Sequence, residues 1–148
     1  MITVNVEKGE KLPFKKNEIK YLAKCFTKDL DVKIESLILN FVSENTIMKL
    51  NAEYKSHNYI TDILTFDLTE ESESNKSITA ELYICPAEAA RNAAKYKVTL
   101  ENELYRLVAH GILHLAGYDD SNVSQKRTMK KMEDELINSV PFYKLPLE

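Results

Sequence analysis

The sequence predicts an α+β fold, a single domain in which a four-stranded mixed sheet carries packed helices. Three observations lead there. The chain has 148 residues, the length of one domain around one core. Apolar runs of period two and of period 3.6 interleave along it in the order β-α-β-α-β-β-α-α-α. The last two strand-like runs are joined only by a short polar loop, which fits a connection between adjacent strands.

Taken in order, Ile2, Val4 and Val6 alternate as a first strand, and Asn17 is placed to cap a helix whose Ile19, Leu22, Ala23, Phe26 and Leu30 recur at helical spacing. Lys16, Lys20, Lys24 and Lys28 stand four apart on that helix, either as a solvated face or as a ridge contacting phosphate. Ser36 to Val42 (SLILNFV) reads as a second strand, and Ser43 caps a short helix from Glu44 to Tyr54. Asp62 to Leu68 alternates as a third strand. The acidic stretch Thr69 to Ser77 is a surface loop leading into a fourth strand, Ile78 to Cys85. Pro86 suits the first position of an Ala-rich helix to about Lys97, and Thr99 caps a helix from Leu100 to Ala116 that Gly117 stops. Ser124 to Ile137 is a last amphipathic helix, and the tail with Pro141 and Pro146 reads as loose.

Composition narrows the function classes. Three Gly and four Pro exclude collagen, low-complexity linkers and a Gly-rich nucleotide cradle. No apolar run approaches the ~18 residues needed to span a bilayer, so no membrane partner is expected. The start, MITVNVEKGEK, lacks the pattern of a secretory leader, which points to a cytoplasmic protein. Cys25 and Cys85 stand far apart with no C-x-x-C spacing, as two inert buried thiols in a reducing compartment would. The net charge of −3 announces no nucleic-acid binding globally. Locally the charge is polarised: residues 1–33 hold eight Lys against five acids, a net +3 that leaves −6 for the remainder.

The chemistry-bearing pattern is H-G-I-L-H-L-A-G-Y-D-D, residues 110 to 120. Leu100, Leu104, Leu107, Val108, Gly111 and Leu115 form one buried stripe, and His110 and His114 lie along its edge, one turn apart. A helix offers two nitrogens to one metal in this way, and the turn at Gly117 returns a third ligand from residue 119 or 120. Asp119 is accounted for as a turn residue, which makes Asp120 the better ligand candidate. The plain alternative is a pair of core-edge histidines satisfied by backbone groups. The spacing H-x-x-x-H-x-x-G-x-x-[HD] resembles the zinc-binding segment of metzincin proteases, a zincin-like metal helix. In those proteases a Glu follows the first His as general base. Here the position is Gly111, which disfavours proteolysis.

The same eleven residues resemble the signature of the YbeY family of endoribonucleases and ribosomal RNA maturation factors, H-G-x-L-H-L-x-G-Y-D-H, at ten positions. Leu50 to Phe66 (LNAEYKSHNYITDILTF) is similar to the family's L-N-x-x-Y-R-x-x-x-x-x-T-D/N-V-L-S-F segment, and Ala80 to Pro86 (AELYICP) to its G-D-I-x-I-C-P strand. The resemblance spans about residues 34–137. It implies one divalent metal ion, zinc, on His110, His114 and Asp120, with Asp120 standing where the family has its third His. It also implies a phosphate-holding residue at Lys55, where the family has Arg. Ala80-Glu81 replaces the family's Gly-Asp. Lys neutralises phosphate as a point charge without the bidentate fork of Arg, and a carboxylate lowers the site's net charge relative to imidazole.

The implied activity is metal-dependent cleavage of single-stranded RNA in the maturation of small-subunit ribosomal RNA and in ribosome quality control. The implied partners are RNA, the ribosomal small subunit and its assembly factors. Lys55 and His110 are the expected catalytic residues, and Lys55 is placed on the loop entering the third strand. His57, two residues beyond, is a candidate substrate contact beside the plainer reading of an exposed loop histidine. Two further classes stand beside this one: a non-catalytic ribosome assembly factor with a structural metal, and a small metalloprotease. An open coordination position separates catalysis from a structural site, and Gly111 counts against the protease.

Overall fold

The alternating runs become four strands, β1 (Ile2–Val6), β2 (Ile34–Phe41), β3 (Ile63–Asp67) and β4 (Ile78–Ile84), in a computed structural model that describes residues 1–56, 60–70 and 77–145. They lie in the order β1-β2-β4-β3. The first three of these are mutually parallel and β3 runs antiparallel to β4 at the edge, so the sheet is mixed. Pairing aligns Val4 with Leu39, Leu39 with Leu82, and Leu82 with Thr65. Strand β2 begins two residues earlier than its apolar run because Ile34 pairs with Ile78.

Five helices follow the predicted order: α1 (Lys16–Asp29), α2 (Glu44–Lys55), α3 (Pro86–Tyr96), α4 (Leu100–Leu115) and α5 (Val123–Asn138). Ser43 and Thr99 cap α2 and α4 as expected, accepting from the Thr46 and Asn102 amides. Asn17 does not cap α1. The chain turns in two residues earlier, at extended Lys15, with Glu18 favourably placed against the dipole of the first turn. Asn122 caps α5, accepting from the Gln125 amide.

Alternation presents Leu37, Leu39, Phe41, Ala80, Leu82 and Ile84 on one face of the sheet. There they bury against Ile19, Leu22 and Phe26 of α1 and Leu104, Val108 and Ile112 of α4. Each of these side chains except Ala80 stabilises the fold by roughly 1.5 to 3 kcal/mol. Leu64 points to the opposite face and packs with Ile47 of α2, Val42 and Cys85 in a smaller cluster. Cys85 is buried, whereas Cys25 is only half-buried, because its position on α1 borders the apolar stripe. Among the lysines four apart on α1, Lys16, Lys24 and Lys28 are exposed and Lys20 is half-buried, a solvated ridge.

The tail is docked as far as Leu145, contrary to its loose reading. Tyr21 Oη donates to the Pro141 carbonyl at 3.0 Å, the Phe142 ring lies 6.0 Å from that of Tyr105, and Leu145 packs on the core. Pro146 and residues 71–76 of the acidic loop lie outside the described residues. Among those described, no helix is long and apolar enough to cross a membrane.

Candidate active site

Gly111 sets how close α4 comes to the sheet. A Cβ there would stand 2.7 Å from Leu82 Cδ1 and 3.2 Å from Ile63 Cδ1, so the fully buried Leu82 would have to shift to admit it. The position that carries a general base in metzincins therefore faces into the core and has no space for a carboxylate. With Gly111 inward, His110 and His114 emerge together at the edge of the helix, ring centroids 4.6 Å apart. Their Nε2 atoms are 3.0 Å apart. Helix α4 ends in a Schellman motif: the amides of Gly117 (φ 104°) and Tyr118 donate to the carbonyls of His114 and Leu113. The reversal brings Asp120 back, its two oxygens 3.3 Å from His110 Nε2 and 3.6 Å from His114 Nε2. Asp119 stays in the turn, accepting from the Asp120 amide and the Ser121 hydroxyl.

This donor set fits a divalent cation. Ligand atoms bonded at 2.0 to 2.1 Å in a tetrahedral arrangement stand about 3.3 Å apart, close to the 3.0 Å between the two Nε2 atoms and to the distance from each Nε2 to one or other Asp120 oxygen. Two imidazoles and one carboxylate suit zinc and equally other first-row metals. No other group of three His, Cys, Asp or Glu among the described residues converges in this way.

Behind the pair lies a buried polar network that sequence periodicity did not single out. Glu133 of α5, 6% exposed, accepts from His110 Nδ1 at 2.6 Å. A carboxylate only accepts, so Nδ1 donates to Glu133 and Nε2 is the nitrogen turned toward Asp120 and His114. Arg106, one turn before His110, bridges Glu133 at 3.1 Å and Asp134 at 2.6 Å. Burial pulls the His110 pKa down, but the Glu133 hydrogen bond and charge, with Asp120 and Asp62, more than offset it and hold it above the ordinary value. Glu103, one further turn back, is also 6% exposed, and burial pushes its carboxyl up to about 7. Asp62, just before β3, accepts from Asn92 Nδ2 at 3.0 Å, and burial raises its pKa too. A signal did exist for part of this: Glu103, Arg106, His110 and His114 recur at 0, 3, 7 and 11 along one face of α4.

The triad opens on a cleft of about 510 Å3 between α4 and the β3 edge, which Lys55, Asp62 and Thr65 also line. Lys55 thus shares the cleft with the triad, but it is not on a loop. It is the last residue of α2, whose hydrogen-bonding continues one residue past Tyr54 before Ser56 turns left-handed at φ 59°. Its Nζ lies 5.2 Å from the centroid of the Phe66 ring, on the neighbouring strand. His57 lies outside the described residues. Ala80 and Glu81 lie on β4, where Ala80 is buried and Glu81 accepts from Tyr83 Oη at 2.8 Å.

The sequence model of the family described as Endoribonuclease YbeY matches residues 4–141, which adds the N-terminal strand and α1 to the span of the resemblance. Endoribonuclease YbeY of Phocaeicola vulgatus is 32% identical over 142 residues, 93% of this chain and 96% of that protein. Its counterpart from Chlorobium phaeobacteroides (strain BS1) is 37% identical over 101 residues, 68% of this chain and 70% of that protein. Among solved structures, that of TM1509 from Thermotoga maritima, determined in solution, aligns with a TM-score of 0.60 at 31% identity. It covers all of this chain and 97% of that one.

Proposed function

The chain belongs to the YbeY family of endoribonucleases, and on that premise we propose that it cleaves single-stranded RNA with one divalent metal ion, zinc, held by His110, His114 and Asp120. The observation that carries the reading is the convergence of three ligand side chains, one atom from each within 4.8 Å of the others, at the wall of a cleft that also holds Lys55. Three protein ligands beside an open cleft match the pattern of catalytic rather than closed structural sites. When bound there, the ion supplies Lewis acidity, polarising a phosphoryl oxygen and acidifying water towards neutrality.

The chain's own groups do the rest. Lys55, an exposed cation held near the triad by the Phe66 ring, neutralises the phosphate that reaches the ligands and stabilises charge developing on it. Glu133 keeps His110 in the tautomer whose Nε2 faces the site, and Arg106 holds Glu133. His57, two residues from Lys55, is assigned to substrate contact. The whole chain acts as one YbeY-like domain, in the cytoplasm, on small-subunit ribosomal RNA during maturation and quality control, with the small subunit and its assembly factors as partners.

The test is metal analysis of the purified protein coupled to cleavage assays on single-stranded and duplex RNA. One bound divalent ion, loss of single-strand cleavage in chelator and its return with added zinc are expected. Cleavage that survives complete metal removal overturns the metal-dependent reading, and a metal-loaded protein that cleaves no RNA leaves the assembly-factor reading in its place.

A further inference from the structure

A second cleft, of about 520 Å3, opens on the other side of the triad between α4 and α5. It shares His110 and Asp120 with the first, so the ligand set forms the divide between two clefts of nearly equal size. Both fall in the size class of sites that take a nucleotide-sized ligand. We propose that the second cleft is a nucleotide subsite for the RNA chain on the far side of the scissile phosphate, with a base against Tyr96 and Val98 and phosphate on Lys126 and Lys130. The assignment rests on the endoribonuclease reading above and extends it to a continuous track across the triad.

The charges lining this cleft favour an anionic occupant. Arg106 is taken up by Glu133 and Asp134, and Glu133 by Arg106 and His110. Glu103, titrating at about 7, carries only part of its charge at neutral pH. Lys126 and Lys130 are exposed one turn apart on α5 and enter no ion pair among the described residues. Apart from the ligand Asp120, the uncompensated charge of the wall is therefore positive. In the same cleft, Tyr96 and Val98 are 61% and 40% exposed. An exposed aromatic beside an apolar neighbour and a pair of cations is the combination that holds single-stranded nucleic acid, the base stacking and the backbone neutralised. Lys55 is the cation of the first cleft, which Asp62 and Asp67 also line, so a strand crossing the triad meets a lysine on either side.

The experiment uses the metal-loaded full chain, a fluorescein-labelled dodecauridylate and the dinucleoside monophosphate UpU. Lys126→Ala/Lys130→Ala should raise KM for the dodecamer and reduce the slope of log affinity against log salt by about 1.4, roughly 0.7 for each single-strand phosphate that is no longer neutralised. Tyr96→Ala should weaken dodecamer binding about 5- to 150-fold. In both variants the advantage of the dodecamer over UpU in kcat/KM should shrink. A charge-matched control on the α1 ridge, Lys24→Ala/Lys28→Ala, should leave the slope at the wild-type value. Wild-type slope and wild-type dodecamer advantage in the α5 variant overturn the subsite while the endoribonuclease reading stands. A slope reduced equally by the α1 control overturns it too, since overall charge then accounts for the effect. A wild-type protein that neither binds nor cleaves either RNA removes both.

Discussion

Glu133 Oε2 lies 2.6 Å from His110 Nδ1, so a carboxylate on α5 decides which nitrogen of a histidine on α4 faces the cleft. The pair couples two helices across the site, and Arg106 locks it from behind. Orienting partners of this kind are worth roughly 10- to 100-fold in metal affinity.

Glu133→Ala should therefore weaken zinc binding by about that factor, measured by competition with a chromophoric chelator. Glu133→Gln, whose amide oxygen still accepts from Nδ1, should retain most of the affinity. Unchanged affinity in Glu133→Ala would separate the carboxylate from the metal site.

Asp120 and Asp119 are neighbours with different surroundings. Asp120 faces both imidazoles, and Asp119 is engaged with the Asp120 amide and Ser121. Asp120→Ala should lose metal on dialysis, Asp119→Ala should retain it, and Asp120→His should retain it while shifting the rising limb of the pH-rate profile downward. An imidazole in place of a carboxylate leaves the site more cationic and its water more acidic. Retention by Asp120→Ala with loss by Asp119→Ala would move the third ligand by one residue.

Lys55→Ala should cut RNA cleavage strongly with little thermal effect, and Lys55→Arg should match or exceed the native activity. The side chain is exposed, and its interaction with the Phe66 ring contributes at most about 1 kcal/mol, or roughly 2 to 4 °C in Tm. Equal cleavage by all three proteins would remove Lys55 from the chemistry.

Glu103 makes the metal-free fold pH-dependent. Its carboxyl titrates at about 7 when folded against an ordinary 4.5, so between those values the native state binds more protons than the unfolded chain. Stability falls as pH rises through this window, by roughly 3 kcal/mol when complete. Glu103→Gln should be more stable than the native chain at pH 8 and should flatten the dependence between pH 5 and 8, read from denaturant unfolding in chelator. A parallel pair of pH curves would count against the burial of this charge as its origin.

The element order, the caps at Ser43 and Thr99, the stop at Gly117 and the facing of His110 and His114 follow from local periodicity and turn chemistry. Asp120 was legible for the same reason, since a helix stop followed by a short turn limits where the next residues go. Asn17 misled because an extended Lys15 starts the helix without a side-chain cap, and the tail misled because its anchor is distant in sequence. Tyr21 reaches Pro141 across 120 positions, Asp62 reaches Asn92 across 30, and His110 reaches Glu133 across 23. What the sequence by itself determined is the set of elements and the paired histidines, because both arise from residues within a turn or two of one another. The strand order, the placing of Lys55 in the cleft beside the triad and the Glu133–Arg106 support were decided by the tertiary structure alone. Such contacts depend on which faces the packed core turns toward each other, and no period in the chain records that.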